Sequence, residues 1–261
     1  MVVVTLLSDF GLKDSYVAQM KAVILSINPR AVIVDIAHDV PKYDVRNGAF
    51  LLASVASYFP RGTVHLAVVD PGVGGKRKPI VVKTMRNFYV GPDNGLLMLA
   101  ATPEGVREVY EITEGRFMKR GVSATFHGRD LFSPVAAYLS KRVRVEEMGR
   151  PFRTYVQPSF SVASVGVGFA ECEVIHIDSF GNVVTNARPT DLSKVGARFG
   201  SHLRLRNRRF TFLRTYSEAA TGSLLGLIGS HGFFEIAANQ RNAAERLGLK
   251  RGERLRISVR S

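Results

Sequence analysis

Val64-His65-Leu66-Ala67-Val68-Val69-Asp70-Pro71-Gly72-Val73-Gly74-Gly75-Lys76-Arg77 is the stretch that decides how this 261-residue chain folds. Its first six residues are apolar apart from His65, which predicts a strand covered on both faces, at home in a parallel sheet flanked by helices. A polar, glycine-rich loop follows at once. The same rhythm recurs on either side. Residues 2–7 predict another buried strand, and the helix after them carries Tyr16, Val17, Met20, Val23, Ile24 and Ile27 on one face. Residues 31–36 predict a strand and 45–58 a helix. Residues 80–84 and 88–90 predict a β pair, and a helix over about 130–140 closes the first half.

The second half reads differently. Residues 149–164 hold two prolines and little periodicity, which predicts a linker. Beyond it come short strands at close spacing, over 172–178, 183–186, 202–207, 209–214, 224–228, 234–237 and 255–259, with one helix near 242–247. That pattern predicts a small β-barrel or sandwich. The expected architecture is an α/β domain over 1–155, Rossmann-like with a mostly parallel sheet, followed by a smaller β-barrel domain over 165–261.

Composition narrows the function. The chain is 46% hydrophobic and 22% charged, as a globular protein in water is. No apolar run approaches the roughly 18–20 residues that span a bilayer. The opening residues lack a basic flank and read as a strand, not a signal peptide. Cys172 is the single cysteine, so no internal disulfide can form, and the expected location is cytoplasmic. The net charge is +14, with basic clusters over 198–214 and 250–260. Clustered arginine is the footprint of phosphate binding. Here aromatic residues are not interleaved as a single-strand platform requires, and arginines alternate with leucines in Leu203-Arg204-Leu205-Arg206. A solvated arginine-rich surface accounts for them better, and nucleic acid is not the expected partner.

In open α/β sheets, ligands bind beyond the carboxyl ends of the strands. Three polar loops follow predicted strands: Ser8-Asp9-Phe10-Gly11, Asp35-Ile36-Ala37-His38-Asp39, and residues 70–77. A lone Asp at a strand end usually caps the next turn. Three on one edge point to a site that could take a ribose diol. The glycine-rich loop is not a P-loop, because Arg77 stands where a hydroxyl is needed, and it lacks the spacing of a dinucleotide fingerprint. Its glycines read as a tight turn that aims Asp70 and Arg77 at a common point. His127, in Thr125-Phe126-His127-Gly128-Arg129-Asp130, stands just before a helix. The six histidines are never spaced i,i+4 and never sit with Cys172, so no metal site is expected. No Gly-x-Ser-x-Gly elbow is present. In the second half, Asp178-Ser179-Phe180-Gly181-Asn182 is either a plain hairpin turn or an aromatic face and an amide offered to an adenine. Gly229-Ser230-His231-Gly232-Phe233-Phe234-Glu235-Ile236-Ala237 is a second polar turn running into a strand.

Taken in order, these segments resemble the S-adenosylmethionine hydrolase family, also called S-adenosylmethionine hydroxide adenosyltransferases, which shares its fold with fluorinases and chlorinases. The likeness runs through residues 8–11, 69–74, Gly91-Pro92-Asp93-Asn94-Gly95, 123–130, 178–182 and 229–239. It implies an α/β domain, a β-barrel, and a homotrimer with active sites shared between subunits. It implies that Asp9 accepts the ribose diol, Tyr43 covers the substrate, and Asp14 lines the pocket. Asp178 and Ser230 would hold the methionine end, and Phe180, Asn182 and Tyr216 the adenine. Where some relatives carry an arginine after Ser230 for the carboxylate, this chain has His231.

Asp70, Arg77 and His127 match the trio of the hydrolytic branch, whereas the halogenating enzymes carry uncharged residues in place of Asp70 and His127. Physics favours the same division: a halide needs neutral donors, and a carboxylate beside it repels it. The implied reaction is in-line attack of water at the ribose C5′ of S-adenosylmethionine, giving adenosine and methionine. The sulfonium leaves as a neutral thioether, so neither general acid, metal nor cofactor is required. Arg77 stays protonated and would hold the oxygen. His127 or Asp70 would take the proton, with His127 favoured because its ordinary pKa suits neutral pH. The alternatives are an adenosyl halide synthase of the same fold and a non-catalytic basic protein that binds nucleosides or nucleic acid.

Overall fold

The computed structural model describes residues 2–259. Arg260, counted in the second basic cluster, lies outside the described residues, as do Met1 and Ser261. The chain divides into two compact units, Met1–Pro158 and Ser159–Ser261.

The first unit runs β1 (Val3–Ser8), α1 (Tyr16–Ile27), β2 (Val32–Ala37), α2 (Val45–Val55), β3 (Val64–Val68), β4 (Pro79–Thr84), β5 (Phe88–Pro92), α3 (Met98–Ala101), β6 (Val106–Ile112), α4 (Ser133–Ser140) and β7 (Gly149–Pro151). Its sheet has the order β2-β1-β3-β5-β4-β6-β7. Strands β2, β1, β3 and β5 are mutually parallel, and β4, β6 and β7 extend them antiparallel. The sheet is therefore mixed. The parallel expectation holds for one half, and the β pair read at residues 80–90 is where the direction reverses. Part of the expected linker is structured, because Gly149–Pro151 adds the edge strand β7.

The β3 run is buried throughout, as its apolar sequence requires. Val4, Leu6, Leu66 and Val68 pack with Met20 and Ile24 of α1 and Val135 and Ala136 of α4. On the opposite face α2 approaches so closely that a Cβ on its Gly48 would stand 2.9 Å from Leu96 and 3.0 Å from Val69. Helices thus cover both faces, and the loops at the carboxyl ends of β1 and β3 are left at the edge.

The second unit runs β8 (Ser164–Gly166), β9 (Phe169–Ile177), β10 (Val183–Thr185), α5 (Pro189–Lys194), β11 (His202–Leu205), β12 (Arg208–Phe212), β13 (Leu224–Ile228), β14 (Phe234–Ala238), α6 (Ala243–Leu247) and β15 (Arg254–Val259). Seven strands in the order β10-β14-β13-β12-β11-β15-β9 close on themselves through the β9–β10 pairing, with β8 appended to β9. Closure leaves the barrel strands no open edge. Alternation decides which side chains fill it: Leu203 and Leu205 point inward with Phe210, Phe212, Phe234 and Ile257, while Arg204 faces water. Helix α5 was not expected from periodicity. It starts on Pro189, whose fixed φ suits a first helical turn, and the Arg188 backbone N–H donates to Asp191 Oδ2 at 2.9 Å.

Candidate active site

Register places the first acids together. Ser8 of β1 pairs with Val68 of β3, so Asp9 and Asp70 leave the same edge from adjacent parallel strands. The exit from β3 is clamped from β5: Asn94 Nδ2 donates to the Val69 carbonyl at 2.8 Å, while its Oδ1 accepts the Leu96 N–H at 3.1 Å. Gly74 then lets the loop meet the 123–127 segment. Its φ is +73°, and any Cβ there would overlap the Ala124 carbonyl oxygen.

At that junction Arg77 Nε donates to both oxygens of Asp70 at 3.0 and 2.9 Å, and Nη2 also bonds Asp70. Arg77 Nη2 donates to His127 Nδ1 at 2.7 Å. The pair is nearly dry, with side-chain exposures of 9% for Arg77 and 5% for Asp70. The guanidinium carbon stands 5.4 Å over the Phe132 ring. His127 is set by the turn it introduces. Residues Gly128–Phe132 form a single π-helical turn leading into α4, a local widening that recurs at functional sites. Fully buried Asp130 accepts from the Ser123 N–H at 2.9 Å and from Arg129 Nε at 2.6 Å, fixing the loop around His127. Phe126 sits edge-on to Phe10 and Tyr16, at 5.7 and 5.2 Å, which ties this loop to the segment after β1.

Protonation follows from these bonds. A guanidinium only donates, so His127 Nδ1 must accept, and the neutral ring carries its proton on Nε2. Burial, then the Arg77 charge, hold the His127 pKa below its ordinary value, although Asp70 and Asp130 pull the other way. His127 is the base that the sequence favours. Its one free lone pair is already bound to a permanent cation. Arg77 Nη1, by contrast, has no hydrogen-bond partner among the described residues, which leaves two N–H donors for an incoming oxygen.

Asp9 is buried and its Oδ2 accepts the Tyr43 N–H at 2.9 Å, while the Lys42 ammonium binds the Asp9 carbonyl. Tyr43 has φ +65° and a side chain 70% exposed, a left-handed conformation that costs a tyrosine about 1 kcal/mol or more. Asp14 is exposed on the segment ahead of α1. Asp35 corrects another expectation. It lies inside β2, opposite Leu6, and pairs with Lys21 at 2.6 Å, so it does not emerge with Asp9 and Asp70.

In the second unit, Asp178, Phe180, Asn182 and Tyr216 line one open cleft of about 630 Å³. Asp178 Oδ1 accepts the N–H groups of Phe180 and Asn182, and Oδ2 accepts Asn182 Nδ2, all at 2.9 Å. These bonds present Phe180, 76% exposed, beside a fixed amide. Tyr216 donates to Glu235 at 2.6 Å. Burial, then that bond, push the Tyr216 hydroxyl pKa well up, so it stays protonated. Ser230 is exposed on the β13–β14 turn and does not line the cleft. Sequence reasoning missed Glu235 and the Asn239-Gln240-Arg241-Asn242 wall. Glu235 could have been found as a lone acid within the apolar run 233–237.

Residues 4–149 match the family described as SAM hydroxide adenosyltransferase N-terminal domain, and residues 172–256 its C-terminal domain. An (R)-S-adenosyl-L-methionine hydrolase of Salinispora tropica is 38% identical over 97% of this chain and 96% of that protein. A fluorinase of Nocardia brasiliensis is more distant, 26% identical over 98% and 97%. A crystal structure of an uncharacterized conserved protein from Thermotoga maritima superposes with a TM-score of 0.88 at 38% identity, covering 98% of this chain and 99% of that one.

Proposed function

The chain belongs to the SAM hydroxide adenosyltransferase family, and from that premise we propose how its residues act. It is an enzyme that hydrolyses S-adenosyl-L-methionine to adenosine and L-methionine. In our reading Arg77 Nη1 holds the water oxygen for in-line attack on the ribose C5′, with Asp70 and His127 fixing the guanidinium. The observation that carries this is the Arg77 side chain bonded to Asp70 and His127 at once. Positioning suffices, because the departing thioether needs no proton. The proton leaves only as the C–O bond forms, when the oxygen has become strongly acidic. A second water relays it to Asp70, whose two oxygens have lone pairs beyond the three bonds to Arg77. His127 holds Arg77 and stays neutral.

The same trio disfavours halide. A chloride or fluoride beside the Asp70 carboxylate is repelled, whereas water is held by a donor and an acceptor together.

Asp9 takes the ribose diol, with Tyr43 over the substrate and Asp14 at the rim. Phe180, Asn182 and Tyr216 take adenine, and Asp178 and Ser230 the amino-acid end. We further read the first unit as Rossmann-like in its parallel half. The reading extends to a cytoplasmic homotrimer that uses no cofactor and binds no nucleic acid. Exposed Leu12, Tyr43 and Phe180 support self-association, because large apolar side chains left in water favour burial by a partner.

Incubating the protein with S-adenosylmethionine, with and without chloride, tests this. Adenosine and methionine in both cases support it. Formation of 5′-chloro-5′-deoxyadenosine supports the halide alternative. If neither forms while RNA binds in a salt-dependent way, the chain is a binding protein.

A further inference from the structure

The turn over residues 229–233 carries Ser230, and the cations around it can be sorted by their bonds. The His231 ring is held within the turn itself. Its Nδ1 accepts the Phe233 N–H at 3.2 Å, so the ring proton sits on Nε2, which lies 3.3 Å from the buried Glu235 carboxylate. Both ring nitrogens are therefore committed to the turn and to Glu235.

Arg188 reaches the same turn from the end of β10. Its guanidinium stacks 3.6 Å over the Phe233 ring, and Nη1 is 3.9 Å from where a Cβ on Gly232 would lie. The residue is half-buried, and burial holds its pKa below the ordinary arginine value, though an arginine remains charged at neutral pH. Asp191, the acid nearest in the chain, has one oxygen bonded to the Arg188 backbone N–H. Among the described residues no carboxylate comes within ion-pair distance of the guanidinium. The Asp191 charge acts on it only from beyond that distance, and a half-buried cation with no directly paired anion favours a ligand that supplies one.

S-adenosylmethionine carries a single anionic group, the α-carboxylate of its amino-acid end. We propose that Arg188, against the turn that carries Ser230, binds that carboxylate, and so selects sulfonium substrates that keep it. The planar guanidinium, with one face on Phe233, presents its edge for paired hydrogen bonds to a carboxylate. The assignment rests on the reaction proposed above.

The test compares S-adenosylmethionine with its decarboxylated analogue in the wild type, Arg188→Met and Arg188→Lys. The wild type is expected to prefer the carboxylate substrate by about 10- to 100-fold in kcat/KM, the range of a charge-assisted bond. Arg188→Met should lose that factor on S-adenosylmethionine through KM, and keep kcat/KM for the analogue within about twofold, which also shows it folded. Arg188→Lys should recover part of the preference. Unchanged kinetics with S-adenosylmethionine, or equal losses on both substrates in both variants, overturns the assignment while leaving the reaction in place. A wild type that turns over neither compound overturns the reaction and this assignment together.

Discussion

Arg77 Nη2 lies 2.7 Å from His127 Nδ1, so a permanent cation donates to the ring nitrogen that would otherwise take a proton. In the function proposed above, that bond makes His127 a brace for Arg77, the centre of the site. Its Nε and Nη2 are committed to Asp70 and His127, and Nη1 is left to face an oxygen.

Removing the centre should slow chemistry more than binding. Arg77→Ala is expected to lower kcat by about 10²- to 10³-fold, as loss of an oriented donor does elsewhere. His127→Ala should act in the same direction by releasing Arg77. Since substrate recognition is assigned to other residues, KM should stay within about threefold in both variants. Steady-state kinetics of adenosine release checks this, and wild-type kcat in either variant contradicts it.

The pH profile tests whether Arg77 stays bonded to a buried His127. His127 works unprotonated, and its pKa is held below the ordinary 6.5 by burial and by Arg77. The working form therefore persists as pH falls through 6.5, and activity declines only below it. A His127 released from Arg77 into water would give half-maximal kcat near 6.5. Rates measured from pH 5 to 8 decide between the two.

Gly74 tests how the two loops meet. Gly74→Ala forces a Cβ onto the Ala124 carbonyl at a φ of +73°, so the loop must move and draw Arg77 from His127. A drop in kcat of tenfold or more is expected, since displacements of about 1 Å can cost that much. Far-UV circular dichroism should be unchanged, because the strands themselves are not touched.

Acid stability should depend on a residue outside the site. His65 is fully buried in β3, with Nδ1 2.8 Å from Thr5 Oγ1 and its ring stacked 4.9 Å from Tyr89. Burial pushes its pKa from 6.5 to about 3. Below 6.5 the unfolded chain binds a proton that the folded chain refuses, so stability falls as pH drops from 6.5 toward 3. At about 1.4 kcal/mol per pH unit the full loss is on the order of 5 kcal/mol. Urea midpoints across this range, compared with His65→Gln, should show that slope in the wild type and a shallower one in the variant.

Much of this was legible in the sequence because the decisive residues cluster in short motifs. Asp70 and Arg77 share one glycine-rich loop behind an apolar strand, and Phe180 and Asn182 share one turn. What periodicity cannot carry is pairing in space. Asp35 reads like Asp9, yet one residue sits inside a strand bonded to Lys21 and the other at a strand end. Glu235 and Arg188 acquire meaning only through the side chains that the closed barrel brings beside them. The linker reading failed at Gly149–Pro151 because a three-residue edge strand is too short to show alternation. The π-helical turn after His127 likewise depends on packing by Asp130 and Ser133.

The most direct test of the account is a turnover carried out in ¹⁸O-labelled water with chloride present. If Arg77 delivers water to the ribose C5′, mass spectrometry will find one ¹⁸O in the 5′-hydroxyl of adenosine, none in methionine, and no chlorinated nucleoside. Unlabelled adenosine, or 5′-chloro-5′-deoxyadenosine, would contradict it.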